Sequence, residues 1–184
     1  MSARPADARR AAIVAAATAV FARYGFKKAS MDELARAADL SRPGLYLHFA
    51  SKELLFRAVI EDVLGVALAR AVDALAGPGP LEDRLVEAFV AAHWLLVRSL
   101  DPRHAAELLE SAQGLAAEAL AAQDRALRAA VAGAVAPVAG RASPQDVADL
   151  LDAVSAGLKH RAADVEGYRA ELRRLVRVVV ACAA

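Results

Sequence analysis

The stretch from Ser30 to Lys52, SMDELARAADLSRPGLYLHFASK, constrains the fold more than any other part of this 184-residue chain. Ser30 with Glu33 three residues on is a capping box, in which each side chain satisfies the other's free backbone N–H, so a helix opens here. Leu34, Ala35 and Ala38 follow at helical spacing and form its inward face. Asp39-Leu40-Ser41 reads as a turn. Asp tolerates a left-handed backbone better than most residues, Ser41 caps the next helix, and Pro43 is allowed in that helix's first turn. The second helix runs to His48. Two short helices joined by about three residues make a helix-turn-helix. Ala35 and Ala38 are small enough for the second helix to cross closely, and Leu40 and Leu45 fill the space between. Outward the second helix offers Ser41, Arg42, Pro43, Gly44, Tyr46 and His48, a polar, planar and basic mixture suited to a nucleic-acid groove.

The rest of the chain is helical in pattern, and the fold class is all-α, with about nine helices. Ile13, Ala17, Val20, Phe21 and Tyr24 recur at helical spacing, so residues 7–24 form a first amphipathic helix closed by Gly25. Ser51 caps a long helix from Lys52 to about Ala76, and Gly77-Pro78-Gly79-Pro80 is the clearest break. Helices near 81–99, 103–113, 115–135, 144–161 and 164–182 follow. The division expected is a DNA-binding domain over 1–56 and a second helical domain over 57–184. The hydrophobic fraction of 58% is inflated by 49 alanines, which favour helix rather than membrane burial.

The formal net charge of +1 conceals an asymmetry. Residues 1–57 hold ten Lys/Arg against five Asp/Glu, a balance of +5, and the remainder carries −4. A basic third on an acidic remainder points to a polyanion partner for the N-terminal part. The single cysteine, Cys182, excludes an intramolecular disulfide framework. No stretch of about 18 uncharged apolar residues exists, and charges stand where a signal peptide needs its apolar run. A cytoplasmic protein with no membrane partner is expected.

From Arg9 to Leu55 the sequence resembles the DNA-binding domain of the tetracycline-repressor (TetR) family of bacterial regulators. Ile13, Phe21, Tyr24-Gly25-Phe26, Ser30-Met31, Leu34-Ala35, Ala38, Ser41, Leu45-Tyr46, His48-Phe49 and Ser51-Lys52-Glu53-Leu54 fall at that family's spacing. Asp39-Leu40 departs from the usual glycine-valine, which implies a slightly strained turn. Gly44 stands where a base-touching side chain is common. The resemblance implies that Arg42, Pro43 and Gly44 face base edges, with Arg42 suited to guanine O6 and N7. It implies that Tyr46, His48 and Lys52 clamp phosphates and that Ser30 offers its hydroxyl to the DNA backbone. Lys27-Lys28 either touch the backbone or are simply solvated.

Beyond residue 57 no comparable signature exists. Residues 88–97 carry no formal charge, which marks a helix buried on all sides. The resemblance puts a small-molecule effector site in this region. Its wall candidates are Phe89, His93 and Trp94, with Glu107, Leu108, Ser111 and Ser155 as partners; Phe89 and Trp94 are equally readable as plain core, and His93 reads more readily as a core histidine than as a ligand. An apolar or aromatic effector suits this composition. Leu150, Val154 and Leu158 line one late helix and Leu172, Leu175, Val176 and Val179 the next. These stripes form either a monomer core or a homodimer interface, and the resemblance implies the latter.

No nucleophile elbow, phosphate-cradling glycine loop or His-Glu-x-x-His spacing is present, so neither an enzyme nor a metal or cofactor is expected. The function expected is a homodimeric regulator that binds a palindromic operator in double-stranded DNA and releases it on binding effector. A helical carrier or scaffold without DNA binding, or a ligand-dependent activator, are the alternatives.

Overall fold

The computed structural model describes residues 5–94, 102–159 and 161–183, the side chains of residues 5, 94, 102 and 183 excepted. Nine α-helices occur among the described residues: α1 (Pro5–Lys28), α2 (Met31–Ala37), α3 (Arg42–Tyr46), α4 (Lys52–Ala76), α5 (Leu81–Phe89), α6 (Pro102–Leu115), α7 (Ala117–Val135), α8 (Pro144–Leu158) and α9 (Val165–Ala183). No helix among them is long and apolar enough to cross a membrane.

The chain divides into two compact units, Met1–Val63 with Arg98–Leu120, and Leu64–Val97 with Ala121–Ala184. The expected division at residue 56 is thus not where the compact units part. Leu108 and Ala112 of α6 are buried in the N-terminal core, and burial there ties α6 to the first unit.

In the first unit the apolar stripe of α1 buries Ile13, Ala17, Val20 and Phe21 against Leu34 and Ala35 of α2, Leu45 of α3 and Leu55, Phe56 and Val59 of α4. Phe21 and Phe56 meet edge to face at 5.1 Å, and Phe26 lies 4.8 Å from Phe56. Burying a side chain of this size stabilises the unit by about 1.5–3 kcal/mol.

In the second unit Phe89, Leu127, Val131, Leu151, Tyr168, Leu172 and Val176 are buried together. Salt bridges join α5 to α9: Glu87 to Arg169 at 2.9 Å, Asp83 to Arg173 at 3.2 Å and Glu82 to Arg177 at 3.5 Å. Rising numbers on α5 pair with falling numbers on α9, so the two helices run antiparallel. The segment expected as one helix over 81–99 widens its winding partway along, and its residues 95–99 lie outside the described residues. After Phe89 it continues as a π-helical turn, Val90–Trp94. Such turns insert a residue into the helix and re-aim the side chains after it.

Candidate functional site

Each local feature of the 30–52 segment has a visible cause. Ser30 Oγ accepts the Glu33 amide proton at 3.3 Å, and Glu33 Oε2 accepts the Ser30 amide proton at 2.9 Å. The same carboxylate takes the Ser30 hydroxyl proton at 2.8 Å, so this hydroxyl is already engaged within the chain. Those bonds hold the Glu33 carboxyl below its usual pKa range. Asp39 has φ 53°, the left-handed backbone that the turn demands. Ser41 Oγ accepts the Gly44 amide proton at 3.1 Å and caps α3. A Cβ on Gly44 would come within 3.1 Å of that hydroxyl, so glycine leaves the cap undisturbed.

Two arginines of α1 brace this arrangement, a role the sequence reading did not assign. Arg9 Nη2 donates to the carbonyls of Asp39 at 3.3 Å and Ala38 at 3.4 Å, fastening the turn. Arg10 Nη1 donates to the His48 carbonyl at 3.2 Å, with its guanidinium 4.1 Å from the Phe49 ring centroid. Their partners lie 29 to 38 residues away, which hides the contacts from any local pattern.

On α3, Leu45 is fully buried, whereas Ser41, Arg42, Pro43 and Tyr46 are exposed and Gly44 and His48 half-buried. Arg42 pairs with Asp32 of α2 at 3.4 Å and lies 5.9 Å from the Tyr46 ring centroid. A hydrogen bond with Tyr46, then the Asp32 charge, raises the guanidinium above its ordinary pKa. Leu47, which the sequence reading passed over, is 87% exposed. The sequence signal was an apolar residue between the outward Tyr46 and His48, on neither inward position of the helix.

Lys52 departs from its expected role. Its ammonium donates to the carbonyls of Phe26 at 2.9 Å, Ala29 at 3.0 Å and Lys27 at 3.4 Å, and sits 4.5 Å from the Phe26 ring centroid. An ammonium has three protons, and all three have acceptors inside the chain. Lys52 therefore fastens the α1–α2 junction instead of standing free for a phosphate.

The expected effector set separates. Phe89, His93 and Ser155 belong to the second unit, and the Trp94 side chain lies outside the described residues. Glu107, Leu108 and Ser111 belong to the first unit instead. There Glu107 accepts the Lys27 amide proton at 2.6 Å, Leu108 is buried and Ser111 is half-buried.

Around His93 the second unit holds a buried polar cluster. His93 Nδ1 lies 2.9 Å from Ser155 Oγ, which lies 2.6 Å from Tyr168 Oη. His93 Nε2 lies 3.6 Å from Asp152 Oδ1, and Arg128 reaches Asp152 Oδ2 at 3.5 Å. One proton order satisfies the row: Tyr168 donates to Ser155, Ser155 donates to His93 Nδ1, and Nε2–H faces Asp152. Burial, then the Lys159 charge, lowers the His93 pKa to about 4, so the imidazole is neutral at pH 7. Burial likewise raises Asp152 and pushes Tyr168 to about 12. Asp152, Tyr168 and Arg128 were missed because helical spacing makes Tyr168 an inward core position and leaves the two charges unremarkable. Among the described residues Asp152 Oδ1 is buried with no donor within hydrogen-bond distance, His93 Nε2 standing 3.6 Å away. Among the described residues no group of three His, Cys, Asp or Glu is placed to hold a metal.

The expected pairing face is also redistributed. Leu172 and Val176 are fully buried and Leu158 nearly so, because the chain's own second core takes their stripe. Leu150 is 51% exposed, Val154, Leu175 and Val179 are half-buried, and Val178, not anticipated, is 60% exposed.

The site is thus a braced helix-turn-helix with an exposed basic and aromatic tip. Residues 13–59 match the family model of bacterial regulatory proteins of the tetR family. The chain is 46% identical over 57 residues to the HTH-type transcriptional activator FasR of Mycolicibacterium smegmatis, covering 31% of this chain and 26% of FasR. To the HTH-type transcriptional repressor SCO4008 of Streptomyces coelicolor it is 36% identical over 104 residues, 54% of this chain and 52% of that one. The chain thus spans between a quarter and about half the length of these two relatives. A tetR-family regulator structure from Streptomyces coelicolor matches all of this chain and 84% of its own at a TM-score of 0.72 and 20% identity, a likeness of fold.

Proposed function

We propose that the chain is a homodimeric transcription regulator that reads a two-fold operator in double-stranded DNA through α3. The observation that carries this reading is the exposed row Arg42, Pro43, Tyr46 and Leu47 on a helix fastened from behind by Arg9 and Arg10. Arg42 suits a guanine edge, and Leu47 supplies the apolar contact that a thymine methyl takes. Tyr46 and His48 are phosphate partners that set register without reading sequence. Repression is the sign supported by the SCO4008 likeness, which extends over 104 residues against 57 for FasR.

The second unit is the effector domain in this reading. Effector sites are mostly apolar with a few placed polar groups. Phe89 with His93, Ser155, Tyr168 and Asp152 supplies that combination, and Asp152 Oδ1, without a donor among the described residues, favours an effector that carries an N–H or O–H on an apolar or aromatic body. An effector shifts DNA affinity only through its differential affinity for the two states of the dimer. Pairing uses the surfaces that stay open on α8 and α9: Leu150, Val154, Leu175, Val178 and Val179.

A gel shift with the DNA upstream of the protein's own gene, with and without a library of aromatic compounds, tests the whole reading. Sequence-specific retention reversed by a compound supports it. Retention that random DNA competes away equally well overturns operator reading.

A further inference from the structure

Arg42 is not a free cation. It stands at the first position of α3, exposed, and Asp32 Oδ2 of the preceding helix pairs with its Nη1 at 3.4 Å. Tyr46, one turn on, flanks the same guanidinium. Asp32 sits in the first turn of α2, which Ser30 and Glu33 cap, so this carboxylate is carried by a fixed element rather than by a loop. An acid beside a DNA-reading surface works against every phosphate nearby, and its placement on the base-reading arginine calls for a reason.

The chemistry of the two DNA targets supplies one. A guanidinium has five N–H donors, and a carboxylate on one of them leaves enough for a bidentate bond to guanine O6 and N7. These acceptors are neutral, so Asp32 stays in place while the base is read. A phosphate is an anion. To bind Arg42 it must either displace Asp32 or approach alongside a like charge.

We propose that Asp32 is a specificity-determining residue: as the internal counter-ion of Arg42 it withholds that arginine from phosphates and leaves it available to a guanine edge. The inference rests on the reading of α3 as the DNA-contacting helix. Discrimination here comes from a repulsive element aimed at the wrong partner, as specific surfaces commonly arrange it.

The test uses the full-length chain, its operator and random duplex DNA, with binding measured at several salt concentrations. Asp32 is exposed and Asn keeps its side-chain shape, so the variant loses only the favourable carboxylate charge at the start of α2 and stays folded. It frees Arg42 for one phosphate per reading head, which steepens the salt slope for random DNA by about 0.9 per head and raises random-DNA affinity about fivefold to tenfold at ~0.1 M salt. Operator affinity moves less, so the operator-to-random ratio falls about threefold or more. In an Arg42→Ala background the same substitution loses this effect. An unchanged ratio and slope in Asp32→Asn overturns the proposal. So does an equal shift in the Arg42→Ala background, because Asp32 would then act on DNA at large and not through Arg42. A wild-type chain without operator preference overturns the α3 reading itself, a result distinct from either.

Discussion

Glu107 Oε1 accepts the backbone amide proton of Lys27 at 2.6 Å, joining the sixth helix to the C-terminal end of the first. The bond exists because the backbone of α1 breaks at Gly25, with φ 77° and ψ 168°, and presents that amide outward. A Cβ on Gly25 would fall 2.8 Å from Glu107 Oε2. Lys52 meets the same junction through its carbonyls, so an anion holds the free N–H and a cation the free C=O groups. The break at Gly25 frees an N–H besides the carbonyls of the helix end, and charged side chains take up both.

Gly25→Ala is expected to destabilise the first unit by about 1–3 kcal/mol, since it adds a strained positive φ to a displaced carboxylate. Denaturant unfolding measures it. A midpoint equal to that of the wild type would show that the junction tolerates a side chain.

Lys52→Ala removes three charge-assisted bonds from a half-buried junction and is expected to cost about 2–3 kcal/mol of stability. The dependence of DNA affinity on salt should keep its slope, because the ammonium neutralises no phosphate directly. A slope shallower by about one unit with unchanged stability would return Lys52 to the DNA surface.

Arg42→Ala should weaken operator binding about 5- to 150-fold and relax preference at one base position. Binding to a panel of operator variants reads this out. Equal losses on operator and random DNA would reduce Arg42 to a phosphate contact.

Assembly is tested on the open residues. Leu150→Glu or Val178→Glu should give folded monomers, since each places a charge at an exposed apolar position. Val176→Glu should unfold the second unit instead, because Val176 has no exposed surface. Light scattering together with circular dichroism separates the two results, and a folded dimer of Leu150→Glu and of Val178→Glu would move the interface elsewhere.

Acid should act through His93. Its folded pKa of about 4 lies below the ordinary histidine value of 6.5, so the unfolded chain binds the extra proton first. Stability contributed by the neutral imidazole is complete above about pH 6.5 and is lost as pH falls toward 4, by about 3 kcal/mol in all. Asp152 acts oppositely: its raised pKa favours the folded state at low pH, and that contribution fades as pH rises through the folded value. Unfolding free energies of the wild type and His93→Asn from pH 4 to 7 check this. The variant should have the flatter profile, and parallel profiles would remove His93 as the source.

The capped helices, the left-handed turn at Asp39 and the inward faces of α1 and α2 were legible because capping and helical period act over three or four residues. Those signals are local, and the sequence carries them whole. What no local pattern carries is the use of a charged side chain by a distant backbone: Arg9 on Asp39, Lys52 on Phe26, Glu107 on Lys27. Helical period also tells that Leu172 and Val176 share a stripe but not what covers it. Only packing assigns that stripe to the chain's own core and leaves Leu150 and Val178 outside. His93 was readable as a buried histidine, whereas its row with Ser155, Tyr168 and Asp152 required three helices to converge. Short-range hydrogen bonding and periodicity determined the elements. Burial, which depends on residues far apart in the chain, decided which charged side chains are taken up inside the chain.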